Sequence, residues 1–224
     1  MVGRSLKGER SSEQALLAFA STVFAFHHLP AIAGGRAGDL IDLATPVAVG
    51  AASAGVLLAG GLRLPRRIAL LAVGAGVLYV DGHGIHLAAN SIAHEALAGD
   101  ARTLAHFWDE EFGHVEWHAG WIGLMLVFCL LRRSPVRASI AHPSWVSGIT
   151  AVLLGFTLFS STVEGGTWWL VLATIPGLAA WAARARDAPL AATVAASFAL
   201  AGLLIGVWAI WQGGVPQFSE VGYI

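Results

Sequence analysis

Charge is scarce in this chain of 224 residues, of which only 12% are Asp, Glu, Lys or Arg. Soluble domains carry about 25%, and with 56% hydrophobic residues the composition excludes an ordinary water-soluble globule. Cysteine is almost missing too: Cys129, in an apolar run, is the only one. A single thiol excludes an internal disulfide and any metal site built from several thiolates. Lysine occurs once, as Lys7 ahead of the first apolar run, which excludes a retinal-type pigment. There is no internal repeat, low-complexity tract or separate soluble domain, and no nucleic-acid partner is expected.

Apolar sequence is what the chain has in quantity. Runs near 14–29, 40–61, 67–97, 105–131, 144–164, 167–183 and 189–211 are long enough for a bilayer core that needs about 20 helical residues. They predict an all-α, polytopic integral membrane protein: one domain over 1–224 with seven transmembrane helices. The first residues mix Arg4, Lys7 and Arg10 with Glu9 and Glu13, and could imitate a signal peptide; they are read as leading into a retained first helix. Pro30, Pro65, Pro135, Pro143 and Pro189 fall between the runs, where chain breaks are expected.

Basic residues orient the bundle. With the N-terminus inside, Arg63, Arg66, Arg67, Arg132, Arg133, Arg137, Arg184 and Arg186 are all cytoplasmic, and only Arg36 and Arg102 fall outside. That asymmetry predicts an N-in, C-out topology. Trp108, Trp168, Trp169 and Trp211 then suit the outer interface, Trp145 and Trp181 the inner one. The Gly- and Ala-rich stretches 47–61 and 190–206 suit close helix packing in lipid.

Against this background the polar residues stand out. In the third run His83, His86, Asn90 and His94 are spaced three, four and four apart, so they form one stripe of a helix. Glu111, His114 and His118 do the same in the fourth, Thr157, Ser161 and Glu164 in the fifth, and Ser21 and His28 in the first. Depth is a second test. At about 1.5 Å rise per residue, His83 and His86 lie about 24 and 28 Å from Arg67, while His118 and His114 lie about 21 and 27 Å from Arg132. Glu164 and His28 come out at roughly 24–29 Å by the same counting, so four helices place metal-capable groups in one layer. His94 and His106, at roughly 40 Å, reach the edge of the core. Ionisable groups inside a bilayer are costly and mark function by default.

The predicted metal ligands are His83, His86, His114, His118, Glu111, Glu164 and His28, with Glu111 or Glu164 as ligand or general base and Ser161 as a supporting donor. Asp109, Glu110 and Glu116 are read as solvated rim residues, and His27, His94 and His106 as interfacial or capping. His142 is read as belonging to a cytoplasmic loop. Gly82 and Gly84 flank His83, where a helix break or a close backbone approach is expected. Asp81 faces away from the stripe on an ideal helix and is kept as a partner that could orient an imidazole.

Seven spans with a His-x-x-x-His pair, His114 and His118, give the chain a resemblance to the alkaline ceramidase and adiponectin-receptor superfamily of zinc hydrolases. It covers only that pair and a Ser, Asp and His inventory; that family carries the paired histidines on its last helix, where this chain has none. The His-x-x-His-His boxes of membrane desaturases are absent.

Imidazoles with carboxylates suit a divalent ion, zinc or iron first, copper or manganese next. The expected function is a metal-dependent membrane enzyme that hydrolyses a lipid-like or apolar substrate, with membrane lipids around it. The expected location is the bacterial cytoplasmic membrane, with the site facing the extracytoplasmic side. A non-haem iron or copper oxidoreductase is the nearest alternative, and a proton- or metal-relaying transporter or sensor the next. The almost wholly apolar stretches 68–76 and 123–131 offer a through-path no stepping stones.

Overall fold

The computed structural model describes residues 2–59, 62–95, 98–133, 144–185 and 187–223. The chain is built from helices: α1 (Val2–Ala33), α2 (Gly35–Leu57), α3 (Arg66–Glu95), α4 (Asp100–His106), a π-helical segment (Phe107–Gly113), α5 (His114–Leu130), α6 (Trp145–Glu164), α7 (Trp168–Arg184) and α8 (Ala191–Gln212). A two-residue antiparallel ladder, β1 (Leu62–Arg63) with β2 (Arg132–Arg133), ties the start of α3 to the end of α5. Five helical stretches are long and apolar enough to cross a membrane: Ser12–Ala33, Gly35–Leu57, Arg66–Ala93, Trp145–Glu164 and Ala191–Gln212. α5 and α7 are shorter, at 17 residues each, and α5 continues without a break from the π segment.

The boundaries depart from the sequence reading where proline was taken as punctuation. Pro30 lies inside α1, which runs on to Ala33; Pro46 and Pro176 also lie inside helices. The reversal between α1 and α2 comes instead from Gly34 and Gly35, both at positive φ (63° and 50°), which only glycine adopts at little cost. α2 therefore begins at Gly35 and ends at Leu57, earlier than the expected 40–61.

Hydroxyl groups inside the helices are satisfied locally. Thr45, Ser53, Thr150, Thr157 and Ser197 each donate to the carbonyl four residues earlier, which removes a free donor from an apolar setting. Val47, Val73, Val77 and Ile210 are exposed, an arrangement suited to helices apolar on all sides and immersed in lipid. The core runs along α5, where Met125 and Phe128 are fully buried and Phe128 meets Phe19 of α1 edge-on at 5.1 Å. At the ladder end, Arg132 chelates Asp187 through Nη1 at 2.6 and 2.7 Å and lies over the Trp181 ring at 5.3 Å. The hydrogen bonds from Arg132 hold the Asp187 carboxyl below its ordinary pKa.

α3 packs most extensively on α5, and glycine sets how closely. A side chain added at Gly120 would run into the Tyr79 backbone, and one at Gly82 into the backbone of Trp117. Of the two expectations at Gly82, close approach is what occurs, and α3 continues unbroken. Replacing Gly120 with valine should separate the helices and cost at least the ~1–3 kcal/mol of an overpacked core. Gly50, where an added Cβ meets nothing within 4 Å, is the control. Thermal unfolding in detergent should show a lowered midpoint for Gly120→Val and little change for Gly50→Val.

Candidate metal centre

The close approach of α3 and α5 brings imidazoles from both into one cluster. Trp117 of α5 lies at its middle: its ring is 5.0 Å from that of His118, 5.3 Å from His86 and 6.0 Å from His114, all nearly parallel, with His83 edge-on at 4.7 Å. His27 of α1 completes the ring of imidazoles at 6.3 Å. His27 therefore belongs to this layer and is not a capping residue, because α1 passes beside Trp117.

One group within the cluster has metal-binding geometry. Among the described residues, His86, Asp109 and His114 are the three whose ligand atoms all lie within 4.8 Å of one another. Asp109 is 5% exposed, and its Oδ1 lies 2.5 Å from His86 Nδ1. The rings of His86 and His114 are 4.6 Å apart. His114 Nδ1 is buried without a hydrogen bond and faces Glu110 Oε2 at 3.4 Å. Two imidazoles and a carboxylate gathered this closely, and largely buried, are a donor set that fits a cation.

Asp109 is the residue that sequence reasoning missed, and the π segment is why. An α-helical spacing puts Glu111 on the same stripe as His114 and His118. The widened i→i+5 turn of a π-helix changes that register and carries Asp109, five residues before His114, to the inner face. Glu111 is exposed and Glu110 half-buried, so the carboxylate that lies with the two imidazoles is Asp109's and not that of Glu111, and Asp109 is no rim residue. Seven residues in π conformation leave no sequence signal as plain as a proline or a glycine pair.

The other expected ligands have different surroundings. His118 is fully buried, and both its ring nitrogens are engaged: Ser161 Oγ lies 2.7 Å from Nε2 and Thr167 Oγ1 2.6 Å from Nδ1. It has no free nitrogen for an ion. Ser161 is thus the partner of His118. His83, also fully buried, points Nε2 at the Asp42 carbonyl (3.0 Å) and Asp42 Oδ1 (3.3 Å), while its Nδ1 has no hydrogen bond. His28 packs between Phe24 and Phe156 at 4.6 and 5.6 Å and against His27 at 4.8 Å, its Nε2 without a hydrogen bond. Glu164 Oε2 accepts the backbone N–H groups of Phe218 (2.8 Å) and Ser219 (3.2 Å), which makes it an anchor for the C-terminal segment. Asp81 is exposed, as is His106, and Glu116 has a buried carboxylate oxygen without a hydrogen bond. His142 and the His94 side chain lie outside the described residues.

Gly165 closes the site from α6, since a Cβ there would meet His118 Cε1 at 2.7 Å and His114 Cδ2 at 3.0 Å. No protein-family model, curated protein or solved structure matches the chain. The site's own chemistry is therefore the ground for a functional reading.

Removing the Ser161 hydroxyl would leave a nitrogen of the fully buried His118 without its partner, at a cost of about 1–3 kcal/mol. Ser161→Ala should lower the thermal midpoint, and Ser160→Ala, which loses only a hydroxyl donated to the Thr157 carbonyl, should lower it less.

Proposed function

We propose that this chain is an integral membrane metalloenzyme that binds a divalent ion through His86, Asp109 and His114 and hydrolyses a lipid-like or otherwise apolar substrate. The observation that carries the reading is the triad: two imidazoles and a carboxylate from two packed helical runs, with ligand atoms within 4.8 Å of one another. Bonds from zinc to such groups are about 2.0–2.2 Å, so two ligands of one ion are at most about 4.4 Å apart. Separations of no more than 4.8 Å lie within reach of that geometry after small side-chain shifts. Three protein ligands leave a coordination position open, as catalytic sites require.

When bound, the ion supplies Lewis acidity and an activated water near neutral pH. The side chains do the rest. Trp117, Gly165 and the buried His83 and His118 pack around the triad and limit water, while Glu110, beside His114 and half-buried, is the carboxylate placed to take a proton. An apolar substrate is supported by a groove of 430 Å³ lined by Ile85, Ala88, Ala89 and Ile92 of α3 with Leu104 and Trp108. Its walls adjoin His86 and Asp109 along the chain.

The reading includes seven spans, N-in and C-out. The five apolar helices supply five, α7 another, and the α4–π–α5 run the seventh. Seventeen residues suffice at the lower limit of helical spans, about 17–25. Arg63 and Arg132 meet in the ladder at the end opposite the triad, which supports a cytoplasmic ladder and an extracytoplasmic site. Two imidazoles and one carboxylate are also the ligand set of non-haem iron oxygenases, and this shared set is the ground for an oxidative second reading.

Protein purified without chelators should retain about one equivalent of divalent metal by elemental analysis, the open three-ligand site holding a single ion. His86→Ala, Asp109→Ala and His114→Ala should each lose most of it, whereas Glu111→Ala should retain it. A colourless, paramagnetically silent zinc protein selects hydrolysis; an iron signal selects oxidation. A wild-type chain that neither retains nor takes up Zn²⁺, Fe²⁺ or Co²⁺ ends the proposal.

A further inference from the structure

The segment after α8 is joined to the triad through a single carboxylate oxygen. α8 is capped by Gly213, whose φ of 71° turns the chain back on itself. Trp208 then donates its indole N–H to the Pro216 carbonyl at 3.0 Å, and the Phe218 ring packs against Trp208 at 4.8 Å and Phe159 at 5.5 Å. Tyr223 lies against Trp208 and Trp211 at 5.7 and 6.0 Å. Glu164, at the end of α6, takes the N–H groups of Phe218 and Ser219, and Glu220 takes that of Gln217 at 2.9 Å. Between these anchors the Gln217 side chain reaches back across the bundle: its Nε2 donates to Glu110 Oε2 at 3.2 Å. The same Glu110 oxygen faces His114 Nδ1 at 3.4 Å.

We infer that the C-terminal segment is part of the metal centre, with Gln217 a positioning residue that holds the Glu110 carboxylate against His114 and so slows exchange of the bound ion. This rests on the triad binding a metal. The physical ground is that a free Glu rotates about three side-chain bonds, whereas an amide donor restricts its carboxylate to one orientation. Gly166, at φ 63°, lies alongside that donor, where an added Cβ would be in ordinary contact with Gln217 Nε2 at 3.5 Å. Residues that touch a ligand and not the ion commonly change metal affinity by about 10–100-fold; Glu110 is such a residue beside His114, and Gln217 fixes it.

The experiment loads the full-length chain in detergent with Co²⁺ and follows its loss to excess chelator by the visible spectrum. Gln217→Ala should release Co²⁺ at least about 10-fold faster than wild type. Gln217→Lys, which still offers a donor to Glu110, should restore slow release, a rescue that a merely structural role for the tail would not give. Glu164→Gln should release faster too, together with faster amide exchange at Phe218 and Ser219. Wild-type release rates in Gln217→Ala, with Co²⁺ bound, overturn this inference and leave the metal site standing. Failure of wild type itself to bind Co²⁺ overturns both.

Discussion

The distance between the α3 and α5 backbones governs the rest of the structure. Gly82 and Gly120 let the two helices meet backbone to backbone at Trp117 and Tyr79. Only at that separation do imidazoles carried by different helices come within one ion's reach. A bilayer gives apolar helices little reason to choose each other, since lipid tails are as apolar as leucine. Small residues at the contact therefore do here what a hydrophobic core does in water, and the site inherits its geometry from them.

The handling of polar atoms separates scaffold from site. Threonine and serine hydroxyls in α2, α6 and α8 turn back onto their own helices and are satisfied without partners. The histidines do not follow suit. His114 Nδ1, His83 Nδ1 and His28 Nε2 are buried without hydrogen bonds. Each such atom costs about 1–3 kcal/mol. Buried polar atoms without hydrogen bonds call for an explanation, and these, with Glu116 Oε2 and the Trp117 and Trp121 indole nitrogens, gather on the helices that carry the imidazole cluster and its neighbours.

Membrane-helix character was legible from composition and run length alone, because apolar length is a one-dimensional property. That histidine and carboxylate groups meet within the bundle was legible from helical periodicity, since His86 and His114 each belong to a stripe that α-helical geometry keeps on one face. The identity of the carboxylate was not. Asp109 and not Glu111 lies with the two imidazoles where seven residues adopt a π turn, a change of register that helical periodicity does not announce. Proline misled for a related reason: Pro30 fits inside α1, while the glycines after it make the turn. The anchoring contacts of Glu164 were not legible either, because they are made to backbone amides about fifty residues away, which no periodicity reveals.

Trp117 has a use beyond packing. Its indole stacks within 5.0–5.3 Å of the His118 and His86 rings, closer to the triad than any solvent-borne dye could be brought. A paramagnetic ion lodged there would quench that chromophore, one of nine tryptophans in the chain. The emission difference between the native chain and a Trp117→Phe counterpart then becomes an intrinsic optical gauge of occupancy, readable in intact membranes without any label.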